Sequence, residues 1–540
     1  NDPLTLSALE AAFEQARRQP WRAAPMLADG GASGTELRAI RNPAHLDDII
    51  GHVQDAGRAE SEAALAAAQA CTSRWSNSTG AERARLLERS AELLQAHCAE
   101  LMWLAVHEAG KTLANALGEV REAVDFCRYY ASRLRTAAEE ADRGQPLGVV
   151  ACISPWNFPL AIFTGQVAAA LAAGNVVLAK PAEQTPLTAA RAVRLMHEAG
   201  VPRAALQLLP GDGRVGALLC ADARVRGVLF TGSTETAALI DRQLAARAVS
   251  EEIVLIAETG GINAMVVDSS ALSEQVVHDA LGSAFDSAGQ RCSALRVLCL
   301  QEEIADRVLA MLRGALRELA VGDPALLATD IGPVIDAEAL ARLEAHVERM
   351  SATHRVERQP LPAAAAHGTF VAPTLIEIDS LAQLGREVFG PVLHVLRYRR
   401  AELGPLIENI NATGYGLTFG VHSRIDETID YVTSRVRAGN LYVNRNMIGA
   451  VVGVQPFGGL GLSGTGPKAG GPLLLHRLRR GQPAPALPVA AGATLPPAFV
   501  ALRAWAGSSG RDALARRCDA LARSTPWVRA ADLAGPTGES

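Results

Sequence analysis

Residues 147–186 read LGVVACISPWNFPLAIFTGQVAAALAAGNVVLAKPAEQTP and carry the clearest structural pattern of the chain. The run 148–153 is short and apolar, which is typical of a strand buried on both faces. An Ala-rich stretch predicts a helix over residues 158–173. A second apolar run at 175–179 and a helix over residues 186–199 repeat the pattern. Strands that alternate with helices in this way predict a parallel sheet with right-handed crossovers.

The alternation continues toward the C-terminus. Strands are predicted at residues 205–209, 226–230 and 253–257, and a second α/β block is predicted from residue 263 to about residue 440. Before residue 141, apolar residues at i, i+3 and i+4 spacing predict helices. Ligands of parallel sheets bind where loops leave the carboxyl ends of the strands, so functional residues are expected in those loops.

The composition is that of an ordinary globular protein, with 540 residues, 49% of them hydrophobic, and a formal net charge of −5. This charge, without a long basic run, disfavours nucleic acid or an anionic membrane as the main partner. No apolar stretch approaches the roughly 20 residues of a membrane helix, and no signal peptide is visible. Eight cysteines without a CxxC pair predict reduced thiols in the cytoplasm. We interpret the chain as a module from a longer polypeptide.

One cysteine stands in an unusual context. In FDSAGQRCS (residues 285–293), Gly289 is predicted to end a helix over residues 274–288, which leaves Cys292 on a loop among small residues. A loop thiol can be approached by a substrate, and its thiolate is a nucleophile if the site overcomes a free pKa near about 8.5. A buried hydrophobic role is the ordinary alternative for any cysteine.

Two polar residues are predicted at strand ends. Glu258, in AETGG (257–261), ends a predicted strand and could act as a general base that activates water. A solvated strand-end carboxylate is the alternative. Asn157, in PWNFP (155–159), could donate its side-chain N–H to a developing oxyanion. A helix cap or an Asx turn is the alternative for this residue.

A dinucleotide site is indicated by three further segments. Lys180 and Glu183 can both reach a ribose diol, and Glu183 would repel a 2′-phosphate, so the pair favours NAD over NADP. A surface ion pair is the alternative. GDGRVG (211–216) matches G-x-G-x-x-G, a weak motif alone, and FTGS (230–233) repeats the strand–turn–helix shape. Either helix N-terminus could face a pyrophosphate.

Together these segments resemble the aldehyde dehydrogenase superfamily. The resemblance spans residues 147–476 and rests on seven motifs in order: PWNFP (155–159), KPAEQTP (180–186), FTGST (230–234), ETGG (258–261), GQRCS (289–293), EVFGPV (387–392) and PFGGLGLSGTG (456–466). More narrowly, the chain resembles the aldehyde dehydrogenase module of bifunctional proline utilization A, through HEAGKTLANALGEVREAVDFCRYYA (107–131), GQRCSALRVL (289–298) and SGTGPKAGGP (463–472).

The resemblance implies a role for individual residues. Cys292 would be the nucleophile, and Asn157 would form the oxyanion hole with the Cys292 N–H. Glu258 would be the base that activates water to attack the thioester. The implied cofactor is NAD, bound by Ile153, Ser154, Pro155, Trp156, Lys180, Ala182, Glu183, Gly211, Gly213, Phe230, Thr231, Gly232, Ser233, Gly260, Glu387 and Phe389. The implied substrate residues are Glu122, Arg291, Ser293, Phe457, Gly464 and Thr465. No metal site is implied.

The implied fold is α/β, with a Rossmann-like NAD-binding domain, an α/β catalytic domain and a small oligomerisation β-hairpin. Residues 1–259 would hold the N-terminal helical region and the NAD-binding domain, with the hairpin at 132–146. The catalytic domain would span 260–440, followed by an anchor loop that returns to the first domain (441–480) and a Pro/Ala-rich linker with a C-terminal segment (481–540). A homo-oligomer is implied as well.

The implied reaction is NAD-dependent oxidation of L-glutamate γ-semialdehyde to L-glutamate, the second step of proline catabolism. A proline dehydrogenase module with FAD would be fused in the full-length protein. Another small aliphatic or amino-aldehyde is an alternative substrate. A coenzyme-A-dependent acylating enzyme is a rival interpretation, disfavoured because it would not need the water-activating base Glu258. A catalytically silent assembly domain is another, disfavoured because Cys292, Glu258, Asn157 and Glu387 occur together.

Overall fold

The computed structural model describes residues 2–30, 36–136, 144–247, 253–481 and 497–509, with 511, 514–515 and 518–519. Residues 132–136 of the predicted oligomerisation hairpin belong instead to the helix Leu113–Thr136, and Gln145–Pro146 forms a short strand. Residues 137–143 of the hairpin lie outside the described residues. The same holds for residues 482–496 of the predicted linker and for most of the C-terminal segment.

A five-stranded, fully parallel sheet forms the centre of the first unit. Every residue of its two strands inside residues 147–186 is buried, as expected for a sheet covered on both faces. The predicted parallel α/β fold is therefore confirmed. Across the sheet the strands are Leu206–Leu208, Val176–Lys180, Val149–Ile153, Val225–Gly232 and Val254–Thr259.

Helices cover both faces of this sheet and extend the unit toward the N-terminus. The predicted helix over 158–173 begins only at Ala161, because residues 155–160 form the turn that leaves the sheet. The apolar pattern over 81–106 belongs to two helices, which meet at His97. The helices of this unit are Pro3–Arg17, Arg58–Ser76, Gly80–Ala96, Cys98–Ala109, Leu113–Thr136, Ala161–Ala172, Pro186–Glu198, Gly213–Ala221, Thr234–Ala245 and Leu473–Arg477.

A seven-stranded sheet forms the second unit and has its own hydrophobic core. All neighbouring strands are parallel except the pair at one edge, Val356–Arg358 with Thr374–Ile378. In order, the strands are Val356–Arg358, Thr374–Ile378, Val392–Tyr398, Val297–Gln301, Ala264–Val267, Thr418–His422 and Asn440–Val443. Its α-helices are Ser273–Phe285, Glu302–Glu318, Ala337–Ser351, Leu403–Ala412 and Asp426–Thr433.

Smaller elements connect the two units. Trp21–Ala23, Arg38–Asn42 and His45–Val53 form a three-stranded sheet near the N-terminus. The chain returns to the first unit where Arg479–Arg480 pairs with Gln145–Pro146. The remaining elements are the strand pair Tyr415–Gly416 and Leu460–Gly461, the 3₁₀ helices Asp286–Gly289, Ala363–His367, Leu381–Gln383 and Arg400–Glu402, and the helix Pro497–Ser508. No helix among the described residues combines the length and apolarity needed to cross a bilayer.

A buried carboxylate caps one helix of the first unit from outside. Glu119 accepts hydrogen bonds from the N–H groups of Leu160 (3.1 Å) and Ala161 (2.8 Å), where the helix Ala161–Ala172 begins without a side-chain cap of its own. Glu119 also forms an ion pair of 3.0 Å with Lys111, and both side chains are almost fully buried. The charge of Glu119 is thus balanced by a lysine and by the positive end of a helix dipole.

Glu119→Ala is expected to destabilise the chain by about 3–5 kcal/mol, because it leaves the Lys111 ammonium buried without its partner. The urea midpoint and the apparent unfolding temperature measure the effect. Glu92→Ala is the matched control, because its pair with Arg89 (2.8 Å) is exposed and stabilises little. Equal unfolding temperatures for the two variants would contradict this account.

Candidate active site

The loop that carries Cys292 begins with a sharp turn. The helix Ser273–Phe285 ends earlier than predicted, because Ser287 and Ala288 adopt left-handed φ values of 56° and 54° within the following 3₁₀ turn. At Gly289 a Cβ atom would overlap the Gly390 carbonyl, so a glycine is required there. The turn redirects the chain and places Cys292 on the loop that follows it.

Two side chains hold the backbone of this loop. Arg296 is buried and donates to the carbonyl oxygens of Gly289 (2.6 Å) and Arg291 (2.9 Å). Asn263 donates to the carbonyl oxygens of Cys292 (2.6 Å) and Ala294 (2.9 Å). The position of the cysteine is thus fixed from both sides by residues that the sequence analysis did not single out.

Cys292 lies where two cavities meet. It is one of the few residues that line both a cavity of about 120 Å³ and a cleft of about 780 Å³. Burial, together with the neighbouring carboxylates of Glu387 and Glu258, raises the pKa of the Cys292 thiol to about 12, whereas Arg291 opposes the rise. The thiol is therefore protonated at neutral pH, and a nearby positive charge or a base would be needed to ionise it.

The smaller cavity contains most of the predicted substrate residues. Its walls include large apolar side chains such as Phe126 and Leu229, and its volume is about that of four water molecules. Burial raises the pKa of the Glu122 carboxyl on its wall to about 7. The predicted catalytic and substrate residues on its wall are Glu122, Glu258, Arg291, Cys292, Ser293 and Phe457, and the predicted cofactor residues Phe230 and Thr231 line it as well.

Gly464 and Thr465 do not line this cavity. Their loop lies against the last strand of the five-stranded sheet, where the Thr465 hydroxyl accepts a hydrogen bond from the Ala257 N–H (2.9 Å). The Thr465 N–H in turn donates to the Ala257 carbonyl (2.9 Å). The structure thus directs this hydroxyl to a strand backbone, and the predicted contact with a substrate carboxylate receives no support from the geometry.

Glu258 lies at the end of the strand Val254–Thr259, as predicted, and faces the small cavity. One of its oxygens accepts a hydrogen bond from the Gly459 N–H (2.8 Å), and the other is buried without a hydrogen-bond partner. Burial raises the pKa of the Glu258 carboxyl to about 8, with the Gly459 hydrogen bond and Lys468 opposing the rise. A carboxyl group with such a pKa can exchange protons near neutral pH.

Asn157 reaches the cysteine loop from the first unit. Its side-chain amide is buried and donates to the Gln290 carbonyl oxygen (3.0 Å). The hydrogen bond fixes the amide beside a residue that lies two positions before Cys292 in the sequence. Asn157 and Cys292 both line the larger cleft, and the amide has a second N–H that this hydrogen bond does not use.

The larger cleft runs between the two units. Two helices begin at it, Gly213–Ala221 and Thr234–Ala245, and the buried Lys180 lies on its wall. Gly211 is not among the lining residues; a Cβ there would overlap the Val215 side chain. The other predicted cofactor residues all line the cleft: Ile153, Ser154, Pro155, Trp156, Lys180, Ala182, Glu183, Gly213, Phe230, Thr231, Gly232, Ser233, Gly260, Glu387 and Phe389.

The second unit contributes Glu387 to this cleft. Its carboxylate accepts a hydrogen bond from Arg296 (3.0 Å), and burial raises its pKa. A Cβ atom at Gly260 would overlap this carboxylate, which explains why a glycine follows the Glu258 strand. Phe389 packs edge-on against Trp156 at 5.6 Å between ring centroids. Cationic side chains that the sequence analysis missed also line the cleft: Arg342, Arg349 and Arg386.

A dinucleotide fits this cleft on structural grounds. Lys180 is buried, burial lowers its pKa to about 8, and a Cβ atom at Gly216 would just contact its side chain. Two helix N-termini supply backbone N–H groups and positive dipole ends for phosphates. Among the described residues, no group of three or more His, Cys, Asp or Glu side chains is arranged so that it could bind a metal ion.

The fold and the site define an α/β enzyme in which one cysteine connects a dinucleotide-type cleft to a small-molecule cavity. The aldehyde dehydrogenase family profile matches residues 31–480. This chain belongs to the aldehyde dehydrogenase family, whose members generally use NAD or NADP.

Relatives with curated names agree with this assignment. The bifunctional protein PutA of Escherichia coli is 55% identical over 99% of this chain, and the chain spans only 42% of that relative. The 1-pyrroline-5-carboxylate dehydrogenase of Geobacillus kaustophilus is 36% identical, over 88% of this chain and 97% of the relative. A solved structure of a mutant Thermus thermophilus 1-pyrroline-5-carboxylate dehydrogenase has a TM-score of 0.84 at 33% identity, over 88% of this chain and 95% of the other.

Gly260→Ala is expected to reduce turnover by about 100-fold, because the new methyl group displaces the Glu387 carboxylate by about an ångström. Steady-state rates of NADH formation measure the loss. Gly282→Ala is the matched control, since a Cβ atom at Gly282 meets nothing within 4 Å. Full activity of Gly260→Ala would show that the position of Glu387 is unimportant.

Proposed function

We propose that this chain oxidises L-glutamate γ-semialdehyde to L-glutamate with NAD as the hydride acceptor. The observation that carries the proposal is the position of Cys292, which faces both the small cavity and the large cleft. A nucleophile in that position can hold the aldehyde carbon next to a hydride acceptor.

The choice of substrate rests on relatives and on charge. Relatives that this chain covers almost fully are named 1-pyrroline-5-carboxylate dehydrogenase, and the open-chain hydrolysis product of that imine is L-glutamate γ-semialdehyde. Such a substrate carries an ammonium and a carboxylate. Glu122 and Arg291 lie on the wall of the small cavity and can supply charges of the two opposite signs. The pKa of Glu122 is raised to about 7, and Arg291 also pairs with Asp286 (2.7 Å), so each contributes less than a full, unshared charge.

The preference for NAD rests on Glu183. This residue lies on the wall of the cleft together with Lys180, and its carboxylate would repel a 2′-phosphate. Arg38 donates to the Glu183 carbonyl oxygen (3.1 Å), and its guanidinium is also paired with Asp55 (3.1 Å). That pairing leaves Arg38 a poor partner for a 2′-phosphate.

The mechanism follows from the residues around the thiol. Cys292 ionises by passing its thiol proton to the Glu258 carboxylate on the same cavity wall, which releases the proton to solvent. The thiolate attacks the aldehyde carbon, and the oxyanion accepts hydrogen bonds from Asn157 and from the Cys292 N–H, each donor contributing about 3 kcal/mol. The bound dinucleotide supplies the hydride acceptor. Loss of hydride leaves a thioester on Cys292. Glu258 accepts a proton from water, which hydrolyses the thioester to the acid.

The PutA relatives suggest a larger context. They are named bifunctional, and this chain matches less than half of their length. We propose that the chain is the aldehyde-oxidising module of such a protein, fused to a proline dehydrogenase module with FAD. A homo-oligomer remains a prediction from the family resemblance.

A panel of aldehydes with NAD and NADP tests the proposal. We expect the highest kcat/KM for L-glutamate γ-semialdehyde with NAD, and no turnover for Cys292→Ala, which should still bind NAD because the side chain is small. Faster oxidation of a plain aliphatic aldehyde would favour the alternative substrate. An absolute requirement for coenzyme A would indicate an acylating enzyme, and NAD binding without turnover of any aldehyde by the wild type would indicate an assembly domain.

Thioester hydrolysis should depend on pH through Glu258. Only the carboxylate form can accept a proton from water, and the pKa of Glu258 is about 8. The rate of hydrolysis should therefore rise about tenfold per pH unit below that value and level off above it. In Glu258→Gln we expect a burst of NADH equal to the enzyme concentration, followed by a stall. Stopped-flow absorbance measures both effects, and unchanged steady turnover in Glu258→Gln would exclude this role.

A further inference from the structure

Two histidines form a buried pair between the cleft and the cysteine loop. His346 lies on the helix Ala337–Ser351 and His394 on the strand Val392–Tyr398. Both are buried, and their Nε2 atoms are 2.9 Å apart. A buried nitrogen–nitrogen contact of this length requires one ring to donate and the other to accept.

The neighbours of the pair fix the direction of that hydrogen bond. Arg349 donates to His346 Nδ1 (2.7 Å), and a guanidinium can only donate, so this nitrogen carries no hydrogen. His346 therefore bears its hydrogen on Nε2 and donates to His394. At the other end, His394 Nδ1 contacts the Arg296 carbonyl oxygen (3.1 Å), which can only accept. His394 thus bears its hydrogen on Nδ1.

These three hydrogen bonds share one donor-to-acceptor direction, which runs from Arg349 through the two imidazoles to the Arg296 carbonyl. The direction cannot reverse, because the guanidinium at one end has no acceptor and the carbonyl at the other has no donor. The two rings therefore act as a fixed connection and not as a proton relay. The connection ends on the residue whose side chain holds Glu387 and the carbonyls of the Cys292 loop.

The helix that carries His346 is itself part of the cleft. Leu343, one turn earlier on this helix, packs so closely on Gly390 that a Cβ atom there would overlap it. Gly390 lies in the same turn as Glu387 and Phe389. The helix, this turn and the segment of Arg296 are therefore joined both by packing and by the imidazole pair.

We propose that His346 and His394 are positioning residues. They hold the Arg296 backbone carbonyl, which also accepts the His394 N–H (3.0 Å), and so fix the point from which the Arg296 guanidinium presents Glu387 to the cofactor. This inference rests on the proposed function only in assigning a cofactor contact to Glu387. The alternative is that the two rings merely fill space in the second core. The tautomers test the hydrogen-bonded connection itself, and cofactor affinity separates the two alternatives.

The charges around the pair keep both rings neutral. His346 faces Arg349, Arg386 and His394, and burial with the two arginines lowers its pKa to about 4. His394 faces His346, Arg296 and His354, and burial lowers its pKa to about 3. Protonation of either ring would place two donors against each other, so the connection is expected to stay intact at pH values above these two pKa values.

Nitrogen NMR of the 15N-histidine-labelled chain tests the tautomers directly. At pH 7 we expect one neutral ring with its hydrogen on Nε2 and one with its hydrogen on Nδ1, assigned by their loss in His346→Gln and His394→Asn. If one variant does not fold, the other variant still assigns the ring that it removes. Coupling across the hydrogen bond in the wild type then identifies the second ring. The Nε2–H tautomer for His394, or a protonated ring at either position, would overturn the inference.

NAD titrations without aldehyde test the positioning role. His394→Leu should weaken NAD binding about tenfold, the effect of losing one or two hydrogen bonds. His394→Asn keeps a donor for the Arg296 carbonyl and should restore most of the affinity. His367→Leu, which replaces an exposed histidine, is the control and should bind NAD as the wild type does.

A double-mutant cycle separates positioning from a general structural effect. In a Glu387→Gln background, His394→Leu should have little further effect on NAD affinity, because both changes disable the same contact. Full additivity, or unchanged affinity in His394→Leu, would overturn the inference while leaving the proposed function intact. If the wild type does not oxidise the semialdehyde, the proposed function is contradicted, but the tautomer assignment is unaffected.

Discussion

The guanidinium of Arg296 is the interaction on which the arrangement of the site depends. This single buried cation donates to two carbonyl oxygens of the cysteine loop and to the carboxylate of Glu387. A carboxylate at this depth is stable as an anion only when it is paired and hydrogen-bonded. The same cation therefore stabilises a strained turn with left-handed residues and fixes the spacing between the nucleophile and the cofactor cleft.

The two sheets explain why a cysteine can face two cavities at once. Glu258 lies at the end of a strand of the five-stranded sheet, and Asn157 follows another strand of that sheet, whereas Cys292 precedes a strand of the seven-stranded sheet. The cleft between the units brings these residues together, and two of them come from carboxyl ends of parallel strands, where ligands commonly bind. Neither unit alone contains the nucleophile, the base and the dinucleotide cleft, so the active arrangement exists only when the two units are packed together.

Much of this organisation could be predicted from the sequence, because it follows from local patterns. The apolar runs of residues 147–186 are buried strands as predicted, and the glycine-flanked Glu258 and Cys292 share a cavity. What the sequence did not predict depends on distant partners. Arg296 resembles any strand-flanking arginine until its acceptors are known. Likewise, the Thr465 hydroxyl looked available for a substrate, but a strand backbone distant in sequence binds it.

The electrostatics of the site favour a resting state with little charge. Burial raises the pKa values of Glu122, Glu258 and Glu387, and the last two carboxylates raise the pKa of the Cys292 thiol in turn. A protonated thiol resists oxidation, which protects a partly exposed cysteine in the absence of substrate. A thiol with so high a pKa ionises only when a positive charge or a base lies beside it.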